Sequence, residues 1–348
     1  LEQFWLGCRI IHTARSPKLL QPAHLNSVLK ESTNEQKIMS WIILATAGQF
    51  LNAIVAFLDK YIVTDEKVMP RPFVYAFYSC LLTGGWLIVF ALGFFPSFAA
   101  LGLPHVSNIA TPSIQVVSMA FLTGYTFFMA LVSLYTALQK SEAINVLPVV
   151  GAISAMTAFG MNYLFLDIAL SANFGFGIII LSVGTLLVAQ TLPKVETIVH
   201  VIHSGLFFAL HFITMKGLFM ETSFDDGFFW SRIGFILFAL SLLLVPAYYT
   251  KIKERTSGTT ARTGVIVIAT KILAGVAAFM LLKATNMGDV AVVQALDGVK
   301  FVFILIITFF FGALLPNSAV EHSTRPKEVI RQFLYVFLIA LGYFILFT

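Results

Sequence analysis

The sequence predicts an all-α integral membrane protein with ten transmembrane helices in two inverted five-helix repeats. Three observations predict it. First, 58% of the 348 residues are hydrophobic and only 11% are charged, against about 25% charged in a soluble domain. Second, the apolar residues form solid runs of roughly 17 to 25 residues, long enough for membrane helices, and lack the alternation of barrel strands. Third, the runs fall into two sets of five whose polar joints echo one another.

Residues 1–38 are a polar segment holding Arg9, Arg15, Lys18, Lys30 and Lys37. It is read as an interfacial or disordered stretch, because its apolar part is too short to span and no signal-peptide cleavage pattern follows. Span one, 39–63, carries Gln49, Asn52 and Lys60 close to one face, with Asp59 beside them. Asp59 and Lys60 have a second reading as membrane-surface charges. Span two runs from 73 to about 95, and the connection 96–113 contains His105 but no formal charge. Span three, 114–138, holds Tyr125, a candidate for a cavity wall with burial against a neighbouring helix as the competing account, and Tyr135. Span four, 146–166, has Pro148 in its first turn, where a missing N–H does no harm. Span five, 174–189, brings Gly177 and Gly184 to one face for close helix contact.

In the second set, span six, about 195–218, carries His200, His203, His211 and Lys216. His203 and His211 are candidates for a coupling proton, with helix–helix hydrogen bonding as the competing account. Span seven is read as 228–249, with Arg232 near its start. Spans eight and nine, 264–282 and 290–311, enclose Lys271, Gln294, Asp297 and Lys300 and are joined by the polar stretch 283–289. Charges so deep in apolar sequence are costly and mark a site or a buried ion pair. Asp297 and Lys300 share a face, and the short joint predicts that Asp297 also lies within reach of Lys271. Span ten is 329–347, and no soluble domain is expected after it.

The echoes are Gly48-Gln-Phe-Leu with Gly205-Leu-Phe-Phe, Asp59-Lys60-Tyr61 with Met215-Lys216-Gly217, and the joint beginning Ala137-Leu-Gln-Lys-Ser with the one beginning Ala284-Thr-Asn-Met-Gly. An odd number of spans per repeat gives the two halves opposite topology, an arrangement typical of secondary transporters.

Tyr135-Thr-Ala-Leu-Gln-Lys-Ser-Glu-Ala-Ile-Asn-Val-Leu-Pro148, the span 149–165, Gly175-Phe-Gly-Ile-Ile-Ile-Leu-Ser-Val-Gly184 and the second-half counterpart 282–297 resemble the drug/metabolite transporter superfamily, in particular its EamA-like ten-helix members. The resemblance covers 39–348. It implies EamA-like repeats at 39–190 and 191–348, a substrate cavity between them, alternating access and cytoplasmic ends. Family members carry a Gly-Glu pair between spans four and five; here the nearest match is Leu166-Asp167. Loop charges favour the opposite orientation, since Lys67, Arg71 and the basic loop 251–262 fall outside when the ends are inside.

The function expected is secondary transport of a small polar or anionic metabolite in a bacterial or archaeal cell membrane, with proton coupling or exchange both open. The alternative is a membrane enzyme or an assembly protein whose polar residues serve helix packing. Enzyme chemistry is not favoured, because His200, His203 and Asp289 make no convincing catalytic set. Expected substrate contacts are Gln49, Asn52, Lys60, Tyr125, His203, His211, Lys271, Gln294, Asp297 and Lys300. No metal or cofactor is expected, because Cys8 and Cys80 lack ligand spacing and no nucleotide-binding loop is present. Expected partners are a small molecule and lipid, with no nucleic acid, in a monomer or homodimer.

Overall fold

The structure is a computed structural model that describes residues 22–64, 71–95, 103–166, 172–189, 193–253, 261–311 and 326–345. The chain falls into two units, Leu1–Ser40 and Trp41–Thr348. Of the first unit the described part is helical. Asp167, the nearest match to the family's acidic position, and Lys67 lie outside the described residues.

All regular structure among the described residues is helical. The helices are α1 (Pro22–Thr64), α2 (Pro72–Thr83), α3 (Ile88–Leu92), α4 (Ile114–Lys140), α5 (Ala143–Leu166), α6 (Ala172–Val188), α7 (Val195–Glu221), α8 (Phe224–Leu242), α9 (Pro246–Lys253), α10 (Ala261–Met287), α11 (Val290–Ala295), α12 (Val299–Phe311) and α13 (Pro326–Ile345). Short 3-10 turns, Gly84–Leu87 and Leu296–Gly298, join α2 to α3 and α11 to α12. Among the described residues seven helical segments are long and apolar enough to cross a membrane, and the bent pair α8–α9 makes an eighth if counted as one span. This is the helix inventory of a polytopic membrane protein. The other two expected spans correspond to the shorter apolar helix Gly175–Val188 and to α13, so length and composition meet the ten-span count only in part.

Helix ends follow local chemistry. Ser113, Ser223 and Asp289 are N-caps, each side chain accepting from a backbone N–H two or three residues on. Pro72 occupies the first turn of α2, after the extended Arg71. Two expected boundaries are corrected by these signals. The Ser223 cap starts α8 four residues before the expected Phe228, and α8 ends at Leu242 before the chain bends by 97° into α9. Span seven is therefore not the straight helix 228–249. Likewise α10 continues to Met287, so the joint to α11 shrinks to Gly288 and Asp289.

Packing runs between the two sequence halves as well as within them. In the second unit α4 packs on α7 and α8, α5 on α7, and α6 on α13. Small residues permit the closest crossings: a Cβ at Gly234 would lie 2.0 Å from the Ala120 carbonyl oxygen, and one at Gly205 would lie 2.9 Å from that of Val150. Gly184 faces Ile339 of α13, in keeping with the packing role read from its sequence.

Candidate functional site

Ionic and amide side chains that α1, α8, α10 and the α11–α12 break hold within apolar helices surround a cavity of about 220 Å³. All of its lining lies in the second unit. From the first half come Gln49, Asn52, Asp59, Trp86, Tyr135 and Ser154; from the second come His211, Arg232, Lys271, Gln294, Asp297 and Lys300. Phe127, Leu131, Phe208, Phe212 and Phe235 supply apolar wall.

Two ion pairs sit on this surface. Lys271 Nζ lies 3.1 Å from Asp59 Oδ1. The hydroxyls of Tyr75 and Tyr135 also donate to the Asp59 carboxylate, the latter at 3.3 Å. Lys271 donates to Tyr135 Oη at 3.0 Å and stands 4.0 Å from the Tyr75 ring centroid. The lysine therefore meets a carboxylate, a phenol oxygen and an aromatic face at once. Removing ions from water costs several kcal/mol each, and such a set of partners is what can offset it. The second pair is local: Lys300 Nζ donates to both Asp297 oxygens at 2.8 and 2.9 Å.

This pairing corrects the expected one. Lys271 does not share Asp297; it reaches across to Asp59 in α1, while Lys300 takes Asp297. The geometry of α11–α12 explains the division. The 3-10 turn Leu296–Gly298 interrupts the helix at Asp297, and a mid-helix 3-10 stretch re-aims its side chains. Two glycines make room for it. A Cβ at Gly151 of α5 would stand 2.6 Å from Asp297 Oδ2, and one at Gly298 would stand 2.2 Å from Thr185 Oγ1.

Seven of the ten expected contacts meet at the cavity: Gln49, Asn52, His211, Lys271, Gln294, Asp297 and Lys300. Asn52 Nδ2 donates to Gln49 Oε1 at 3.3 Å, and Ser154 donates to Gln294 Oε1 at 2.8 Å. The buried His211 ring places Nδ1 3.1 Å from the Thr123 carbonyl oxygen and packs against the rings of Phe127 and Phe235.

Lys60, Tyr125 and His203 lie outside the lining. Lys60 donates to the carbonyls of Leu138 and Ser141 at 2.9 Å each and so closes the C-terminal end of α4, where carbonyls lack helical partners. Tyr125 is on an exposed face of α4, edge-on to Phe207 and Phe238. His203 pairs with Ser133 Oγ at 2.7 Å and leans on Phe207. Helical periodicity placed Lys60 on the polar stripe of span one and His203 in the arc of histidines on span six, and Tyr125 was a candidate without such a stripe; none of this could say which neighbour each would meet.

Arg232 is the main residue missing from the sequence-based set. It is 3% exposed and lines the cavity. Its guanidinium carbon lies 4.6 Å from the Phe228 ring centroid and 4.8 Å from that of Phe235. Its hydrogen bonds among the described residues go to Ser231 Oγ, both at 3.4 Å. Each cation–π contact contributes about 2 kcal/mol or more when desolvated, set against the several kcal/mol that burying a guanidinium costs; no carboxylate among the described residues adds to it. The signal that could have found it was the Ser223 cap. With the helix starting at Phe224, Arg232 lies two turns inside rather than at the membrane edge.

No known protein family and no curated protein matches the sequence. Several solved structures do match the fold. One, described only as "Crystal structure of protein", superimposes with a TM-score of 0.60 at 16% identity, covering 89% of this chain and 97% of that one. At that identity the likeness concerns the fold alone: nearly the whole of that chain shares this helical arrangement.

A further pair of contacts bears on the two halves. Lys216 of α7 donates to the carbonyls of Thr285, Asn286 and Gly288 at 2.9, 3.2 and 2.8 Å, closing the end of α10. Lys60 does the same for α4, one helix before the corresponding joint.

Proposed function

We propose that the chain is a secondary transporter of a small polar or anionic metabolite, working by alternating access between inverted five-helix halves at 39–190 and 191–348. The single observation that carries this reading is the cavity itself. Both halves line it, and the Asp59–Lys271 ion pair joins them across it. A cavity of this kind at a repeat interface, beside a discontinuous helix, is the arrangement secondary transporters use for their cargo.

The matched roles of Lys60 and Lys216 support the duplication. Each sits at the echoed position of its half, and each closes the helix before the echoed joint. Likeness to the drug/metabolite transporter superfamily, EamA-like branch, is part of the same proposal, as are a non-enzymatic role and a cell-membrane location. Asp59–Lys271 is then a contact that must loosen when the halves rock, because it bridges them.

Uptake into sealed proteoliposomes with a panel of anionic, zwitterionic and cationic metabolites tests the reading. Saturable uptake of at least one is expected, with Lys271→Gln and Asp297→Asn each lowering it at least 10-fold in protein that is less stable but still folded in detergent. A reconstituted protein that moves none of the panel, or variants that transport at the wild-type rate, would sink it. Loss of stability without any substrate-selective effect would favour a packing role for the polar residues instead.

A further inference from the structure

We propose that Arg232 anchors the single negative charge of a monocarboxylate with an apolar body, bound in the cavity between the two halves. The proposal rests on the transport reading, in that the ligand bound here is the cargo.

Charge bookkeeping leads to it. Three cations and two carboxylates line the cavity. Asp297 is held by Lys300 through both oxygens, and Asp59 by Lys271 and two phenols. Among the described residues no carboxylate lies within 4 Å of Arg232, and its hydrogen bonds reach a single hydroxyl at 3.4 Å. A guanidinium cannot shed its charge to escape burial, and its five N–H groups form a fork that matches a carboxylate. The side chain is 97% buried by the complement of its 3% exposure and faces a cavity large enough for a small ligand. One uncompensated positive charge calls for one negative charge. A phosphate dianion would overshoot it, since among the described residues Arg232 is the one lining cation without a carboxylate partner.

The remaining wall decides the other end of the ligand. Phe127, Phe208, Phe212, Phe235, Leu131 and Leu281 line the cavity, so the group attached to the carboxylate meets mainly ring and alkyl surface. Such sites combine apolar walls with a few placed polar groups that fix orientation. Gln49, Asn52 and Gln294 offer hydrogen bonds to a further polar substituent.

The test uses the full chain in detergent and three probes of nearly equal shape: phenylacetate, phenylacetamide and phenethylamine. Binding is read by calorimetry. Wild-type protein should bind phenylacetate saturably and at least 10-fold more tightly than the amide or the amine. Arg232→Gln should erase that preference. If this variant does not fold, Arg232→Lys decides: it keeps the charge and loses the fork, so the acid should bind at least 3-fold more weakly while the amide is unchanged. Equal binding of acid and amide, no saturable binding of phenylacetate to folded wild type, a preference that survives Arg232→Gln, or an acid affinity unchanged in Arg232→Lys overturns the proposal. The same probes in sealed proteoliposomes separate the two readings. Arg232-dependent binding without uptake leaves the anion site standing and removes transport. Uptake of amide or amine that is indifferent to Arg232→Gln keeps transport and removes the anion site.

Discussion

Asp59 shows how much one side chain can hold in an apolar bundle. It accepts from two tyrosines and a lysine that come from three other helices. Truncating one partner of a buried pair strands the other charge, which typically costs about 3–5 kcal/mol, whereas replacing both by apolar residues is often neutral. Asp59→Ala should therefore lower stability by about that amount, and Asp59→Leu with Lys271→Met should recover most of it. Thermal unfolding of the two single variants and the double variant checks this; equal losses that add would show the pair is not coupled. Tyr135→Phe removes its hydrogen bond to Asp59 and the one it accepts from Lys271 but leaves the ion pair, and should cost about 1.5–3 kcal/mol for each bond lost. If the proposed transport reading holds, the double variant should still lose uptake, because the Asp59–Lys271 contact is gone while the fold remains.

At the scale of elements, breaks and ends matter more than spans. Lys60 and Lys216 close the last turns of α4 and α10 by donating to carbonyls that have no helical partner. Lys60→Met and Lys216→Met should each destabilise by about 2 kcal/mol, the order of hydrogen bonds to a charged group, with little change in ligand affinity. Thermal unfolding and calorimetry on the same samples separate those effects. The 3-10 break after α2 is a second such element. It turns Trp86 toward the cavity and over Gly275 of α10, where a Cβ would lie 1.6 Å from the indole Nε1. Gly275→Ala must push the indole aside, at about 1–3 kcal/mol for overpacking. A shifted tryptophan emission maximum and a lower unfolding temperature are the expected readouts, and an unchanged spectrum would mean that Trp86 does not pack there.

For the whole molecule, the decisive property is which surfaces water reaches. Asn52 lines the cavity, while Tyr125 lies on an exposed, apolar face of α4 that a bilayer would cover. In membranes, Asn52→Cys should react with a small charged thiol reagent in at least one conformational state, and Tyr125→Cys should resist it. Native Cys80 is fully buried and adds no background at its position. Protection of position 52 in every state would remove it from the cavity.

Several of these features were legible in the chain itself. Long apolar runs with few charges settle an all-helical membrane protein, because backbone in lipid must satisfy its hydrogen bonds within the segment. Rare charges in those runs mark the polar centre, because each needs a partner; Lys271, Asp297 and Lys300 were found in this way. Partner choice was not legible. Asp59 and Lys271 are 212 residues apart, and helical periodicity reports the face of one helix but not the helix opposite. The break at Asp297 depends on room that Gly151 leaves in another helix, and Arg232 became a buried cation only once the neighbours of α8 were in place. Sequence alone determined the solvent each segment prefers, a local sum over its own side chains; tertiary structure decided which charges meet, because that depends on distances between helices that no single helix encodes.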